Sequence, residues 1–185
     1  MVFNPEKVME MFDTLTQDII TARETMKSDD SQYAKRVYVR TAFALIEGMT
    51  HLTKVLTIEV AKLRNVELSP AELSLLKEES YELRRGKAKI STKYLKLADN
   101  FRFAFSCFSK ALGSNFKLDV EGQGWECFRK AIEIRHRITH PKVDENLDIS
   151  DAELQIVEKA MDWYRVSSRK LLTDFTKLDL KPGMI

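Results

Sequence analysis

The chain has little with which to turn. Four prolines and six glycines punctuate 185 residues. That is too few for an architecture of many short strands and tight turns, so helices are favoured. Cysteine is nearly absent. Cys107 and Cys127 are the only two, and neither belongs to a CxxC or comparable pair. This points away from a disulfide scaffold and towards two reduced core thiols in a cytoplasmic protein. No apolar run approaches the roughly 20 residues of a membrane span. The opening MVFNPEKVME has no basic segment followed by an apolar one, so no leader is expected there. Nor is there an excess of one charge. Lys and Arg number 30 against 28 Asp and Glu, a net +2, too little to argue nucleic-acid binding from composition.

What is present is helical patterning. Apolar residues make up 44% and charged residues 31% of the chain, ordinary values for a globular protein whose length suits one domain with a real core. Val8, Phe12, Leu15, Ile19, Ala22 and Met26 follow at spacings of four and three, behind Asn4 as cap and Pro5 as first helical residue. A long helix is expected from Gln32 to Leu63, its stripe running through Tyr38, Ala42, Leu45, Met49, Leu52, Leu56 and Val60. Ser69 and Pro70 start another, which Gly86 is expected to close. Leu97, Phe101, Ala104, Phe105, Phe108, Ala111 and Leu112 share a face of the next, stopped by Gly113. A further helix is expected from Gly124 to Ile138. The last begins at Ser150, with Glu153 completing a capping box. No segment shows the alternation of a strand. The expectation is an all-α fold, with residues 1–185 forming a single domain built as a bundle of five or six helices.

The chemistry concentrates in EIRHRITHPK, residues 133–142, which holds two of the three histidines. At about 100° per residue, Arg135 falls among Ala131, Ile132 and Ile138, not with Glu126, Arg129, Lys130, Glu133 and Arg137. A guanidinium drawn into an apolar face needs partners, because burying a lone charge is costly. Snorkelling to the bundle edge, pairing with a carboxylate of another helix, or bonding helix-end carbonyls would each satisfy it. So would a cleft or subunit interface that needs a fixed cation. His140 precedes Pro141, which disfavours helical geometry at the histidine. The helix is therefore expected to end at Ile138 or Thr139, leaving the imidazole able to fold back beside Arg135.

An arginine beside a histidine suits phosphodiester chemistry. Imidazole can give or take a proton near neutral pH. Guanidinium presents a planar fork of donors to phosphate oxygens. In RNA the 2′-hydroxyl supplies the nucleophile, so cleavage needs proton transfer and charge stabilisation but no metal. Metal binding by His136 and His140 is the competing reading. Their i, i+4 spacing fits, but HExxH is not completed and no further cluster offers ligands. There is also no GxSxG or Walker-type loop.

Arg135-His136-Arg137-Ile138-Thr139-His140 resembles the R-x4-6-H signature of the HEPN family, in which a polar residue commonly follows the arginine. That signature sits at the end of one helix of an all-α bundle, with another helix following. The resemblance implies a metal-independent endoribonuclease without cofactors, of the toxin–antitoxin, phage-defence or RNA-processing kind. Arg135 and His140 would be the catalytic pair, with His136 orienting them or contacting phosphate. It further implies an RNA substrate, a homodimer with both motifs lining one cleft, and an antitoxin or defence-system partner. A C2 axis would give one His140 the role of base and its copy that of acid. One subgroup carries a modified tyrosine two residues past the motif histidine. Lys142 stands there instead, against that partnership. Other members lack nuclease activity and serve as binding or assembly modules, which is the alternative here.

Arg137, Thr139 and Lys142 are candidate RNA contacts beside the motif. RRGKAKISTKYLK, residues 84–96, offers Arg84, Arg85, Lys87 and Lys89 to an RNA backbone, with Tyr81 and Tyr94 available for stacking. A solvated basic turn explains the same residues. Arg40, Glu47 and His51 form a polar row opposite the main stripe of the long helix. Trp125 and Trp163 read as core or interface anchors.

Overall fold

The computed structural model describes residues 4–176. Among them are six α-helices and one two-stranded antiparallel hairpin. They are α1 (Pro5–Ser28), α2 (Gln32–Leu63), α3 (Pro70–Leu76), β1 (Glu79–Arg84), β2 (Lys87–Thr92), α4 (Leu97–Leu112), α5 (Gln123–Thr139) and α6 (Asp151–Thr176). The fold is mostly helical, as the patterning predicts. The described chain gathers into two compact units. One comprises residues 50–118 and 171–176, the other residues 4–49 and 119–170.

Helix ends follow local chemistry. Asn4 accepts from the Lys7 N–H ahead of α1, and Ser69 and Glu72 form a reciprocal capping box at α3. Ser150 and Glu153 do the same before α6. Each such cap satisfies donors that a helix start leaves without partners. Gly113 ends α4 with φ +62°, a conformation that glycine adopts without the cost a side chain brings.

The hairpin corrects the expected course between residues 70 and 96. α3 stops at Leu76, and Gly86 lies in the turn between β1 and β2 instead of closing a helix. Arg85 and Gly86 both have positive φ, 50° and 73°, the left-handed pair that a two-residue hairpin turn requires. Glu78, at φ 56°, turns the chain from α3 into β1. The sequence here alternates after all. Tyr81, Leu83, Ala88 and Ile90 share one face of the register, while Glu82, Arg84, Lys87 and Lys89 share the other.

In the unit of residues 50–118, α4 buries Phe101, Ala104, Phe105, Phe108, Ala111 and Leu112. Each such aromatic or leucine contributes about 1.5–3 kcal/mol through its burial. Leu52, Val60, Ala61 and Leu76 complete the packing. A lysine lies among them. Lys54 is 0% exposed and bonds Glu78 Oε1 and, at 3.1 Å, Asn100 Oδ1. Arg64 reaches the carbonyls of Ala111 and Leu112 at the end of α4, where the helix dipole favours a cation.

In the other unit, the first half of α2 buries Tyr38, Val39, Ala42, Phe43 and Ile46. α5 contributes Trp125, Phe128, Ala131, Ile134 and Ile138, and α6 contributes Val157, Ala160 and Tyr164. The rings of Trp125, Phe128 and Trp163 lie 5.2–5.5 Å apart in a mutual cluster. Gly124 makes room for it: a Cβ there would lie 2.2 Å from Trp163 Cδ1. Of the two readings open from the sequence, core or interface, Trp125 takes the core one, and the half-buried Trp163 packs against it.

Candidate functional site

The site is built at the C-terminal end of α5. Ile134 and Ile138 point into the core and fix the rotation of the helix. This leaves Arg135 at the margin of the apolar face. Its guanidinium does not stay against that face. Nη2 lies 2.7 Å from Glu47 Oε1 on α2, and the two side chains are 30% and 41% exposed. Of the arrangements open to Arg135, pairing with a carboxylate of another helix is the one adopted.

The helix ends where Pro141 predicts. Thr139 is its last residue, and His140 leaves it with φ −126° and ψ 59°. The His140 N–H still donates to His136 O at 3.0 Å, and this bond keeps the departing chain close to the final turn. The two imidazoles therefore lie close together in a tilted arrangement, with ring centroids 5.0 Å apart and planes inclined by 54°. Both residues are exposed. The sequence predicts the His140 ring beside Arg135; the contacts found are instead between the His140 and His136 rings and between Arg135 and Glu47. Thr139 Oγ1 donates to Arg135 O at 2.7 Å, so its hydroxyl serves the helix end.

Arg137 has a role that its place on the polar arc does not suggest. Its Nη1 donates to the carbonyls of Asn146 and Asp148, each at 2.8 Å, and Nη2 to Glu153 Oε1 at 2.7 Å. It fastens the 140–150 connection to the start of α6. An RNA phosphate would have to compete with all three acceptors. Lys142 is exposed, and its backbone N–H donates to Asn146 Oδ1 at 3.1 Å. From α2, Arg40 Nη2 donates to Ile138 O at 2.8 Å and satisfies one of the carbonyls that a helix end leaves open.

Arg40 and Glu47 thus connect α2 to this helix end. The polar row in the sequence marked both residues but not their partners. His51, next in that row, is exposed and belongs to the other unit. Arg84, Arg85, Lys87 and Lys89 also lie in that unit. They are exposed along the hairpin, with Arg84 Nε 3.4 Å from Glu82 Oε2. The interactions of Lys54 were not legible at all, since nothing local distinguishes it from a surface lysine.

Among the described residues, no group of three or more His, Cys, Asp or Glu side chains is placed to hold a metal ion, and no helix is long and apolar enough to cross a membrane. No family model, no curated protein and no solved structure matches the chain. The likeness to HEPN proteins accordingly rests on the motif and its helical setting.

Proposed function

We propose that the chain is a HEPN-like, metal-independent endoribonuclease acting in the cytoplasm as a homodimer. The observation that carries this reading is the pair of exposed imidazoles, His136 and His140, on the helix end that also presents Arg135. One imidazole takes the proton of the RNA 2′-hydroxyl as its oxygen attacks phosphorus. An imidazolium, from this chain or its two-fold mate, returns a proton to the departing 5′-oxygen. The products are a 2′,3′-cyclic phosphate and a 5′-hydroxyl. Arg135 would stabilise charge on the phosphoryl oxygens, exchanging Glu47 for phosphate as RNA arrives. An antitoxin or defence partner would act by covering this surface.

The test is cleavage of labelled RNA in the presence of chelator by the wild type, Arg135→Ala and His140→Ala. The expected result is cleavage by the wild type alone, ending in cyclic phosphate. Equal activity in all three would sink the assignment.

The internal use of arginines favours a second reading. Arg135, Arg40 and Arg137 all engage acceptors of their own chain. In a non-catalytic helical module for assembly or binding, these contacts would be the whole purpose of the motif. Pure protein would then never cut RNA, and Arg135→Ala would change assembly, which light scattering reads.

A further inference from the structure

The hairpin presents two different faces to solvent and a strand edge beside them. Register puts Tyr81 opposite Ile90 and Leu83 opposite Ala88 on one face. On the other, Glu82 faces Lys89 and Arg84 faces Lys87. Side-chain bonds agree with this division: Tyr81 Oη donates to Glu79 Oε2 at 2.8 Å, and the Ser80 and Ser91 hydroxyls lie 2.7 Å apart on the polar face. The apolar face is uncovered, with Tyr81 60%, Leu83 80% and Ile90 58% exposed. Of the two strands, β1 contacts α3, whereas among the described residues β2 has β1 as its strand partner in a two-stranded sheet. Among the described residues no further strand pairs with the outer edge of β2, and such an edge is the usual template for strand addition. An open groove of about 320 Å³ flanks its base, lined by Lys77, Glu78, Glu79, Ile90, Ser91 and Thr92.

We propose that the outer edge of β2 binds an extended segment of another protein in which apolar and acidic residues alternate. Along β2, Lys87 and Lys89 point to one side and Ala88 and Ile90 to the other. An added strand has the same two-residue period. Its apolar side chains extend the Tyr81–Leu83–Ile90 face, and its carboxylates meet Lys87 and Lys89. Other occupants fit only half of this surface. RNA would use the basic face and leave Leu83 and Ile90 in water. An anionic bilayer would cover the apolar face and leave Lys87 and Lys89 pointing away from the headgroups. A second hairpin stacked face to face would cover Tyr81, Leu83 and Ile90 and leave Lys87 and Lys89, on the opposite face, without partners. This reading uses none of the residues at the end of α5, and it assigns Lys87 and Lys89 to the carboxylates of an added strand in place of an RNA backbone.

The probe is a fluorescein-labelled seven-residue peptide alternating Glu and Val, with a Lys–Val counterpart, titrated by anisotropy into the full chain. The expected result is binding of the Glu peptide only. The double variant Lys87→Glu/Lys89→Glu should weaken it by about tenfold or more and favour the Lys peptide. Both positions are exposed, so the variant should keep its helical circular dichroism. Hydrogen exchange should slow at the β2 amides that do not bond β1, and only with the Glu peptide. Absence of Glu-peptide binding, or binding unchanged in the double variant, would overturn the proposal. So would protection of β2 by an RNA oligonucleotide, by anionic phospholipid vesicles or by raised protein concentration, in place of the peptide.

Discussion

Arg135 Nη2 lies 2.7 Å from Glu47 Oε1, and both side chains keep substantial contact with water. An ion pair so placed contributes at most about 1 kcal/mol. Arg135→Lys and Glu47→Gln should therefore each lower unfolding free energy by less than about 1 kcal/mol in urea titrations. Under the ribonuclease reading, Arg135→Lys abolishes most cleavage, since lysine keeps the charge but loses the planar fork. A large stability loss with cleavage intact would assign Arg135 to architecture.

Arg137 is the structural member of the motif. Arg137→Ala removes donors to two carbonyls and to the Glu153 carboxylate, and should cost about 2–4 kcal/mol, given that bonds to charged groups contribute more than neutral ones. Arg129→Ala, on the exposed side of the same helix, should change stability by less than about 0.5 kcal/mol. Hydrogen exchange at residues 141–150 should accelerate in the first variant alone.

Lys54 tests a buried charge. Its removal leaves the half-buried Glu78 carboxylate and the Asn100 side chain without their shared donor. Lys54→Ala should destabilise by about 3–5 kcal/mol, and Lys54→Met by less, because methionine refills the volume. Denaturant midpoints of the two variants check the order.

Cys107 predicts an alkaline limit. Burial, with a smaller contribution from Glu72, pushes its thiol from the usual 9.0 up to about 11. Below pH 9 the thiol is protonated both folded and unfolded, so its contribution to stability is fully present. As pH rises from about 9 to about 11 the unfolded thiol ionises first, and stability falls. Cys107→Ala should flatten that part of the stability profile. Since Cys127 is buried as well, a thiol reagent at pH 8 should label neither cysteine before denaturant is added and both afterwards.

The helices were legible because their signals are local. The stripe of α4, the caps at Asn4, Ser69 and Ser150, and the stop at Gly113 all act within a few residues. The hairpin was not, although Tyr81, Leu83 and Ile90 alternate with polar neighbours. Its strands are short, its apolar face is uncovered, and the basic run of residues 84–96 masks the period. Gly86 is a turn signal in either reading. Only the pairing of β1 with β2 distinguishes a hairpin turn from a helix stop.

At the candidate site the division falls between backbone and side chains. Pro141 by itself sets where α5 ends, through its clash with helical geometry at the residue before it. The positions of Ile134 and Ile138 by themselves set which way the helix faces. Which acceptor each arginine reaches was decided by tertiary structure. Glu47 is 88 positions from Arg135, and a long flexible side chain takes whichever partner the packing of another helix brings within reach. The same holds for Lys54, whose sequence neighbours give no hint that α4 and the turn at Glu78 will close around it.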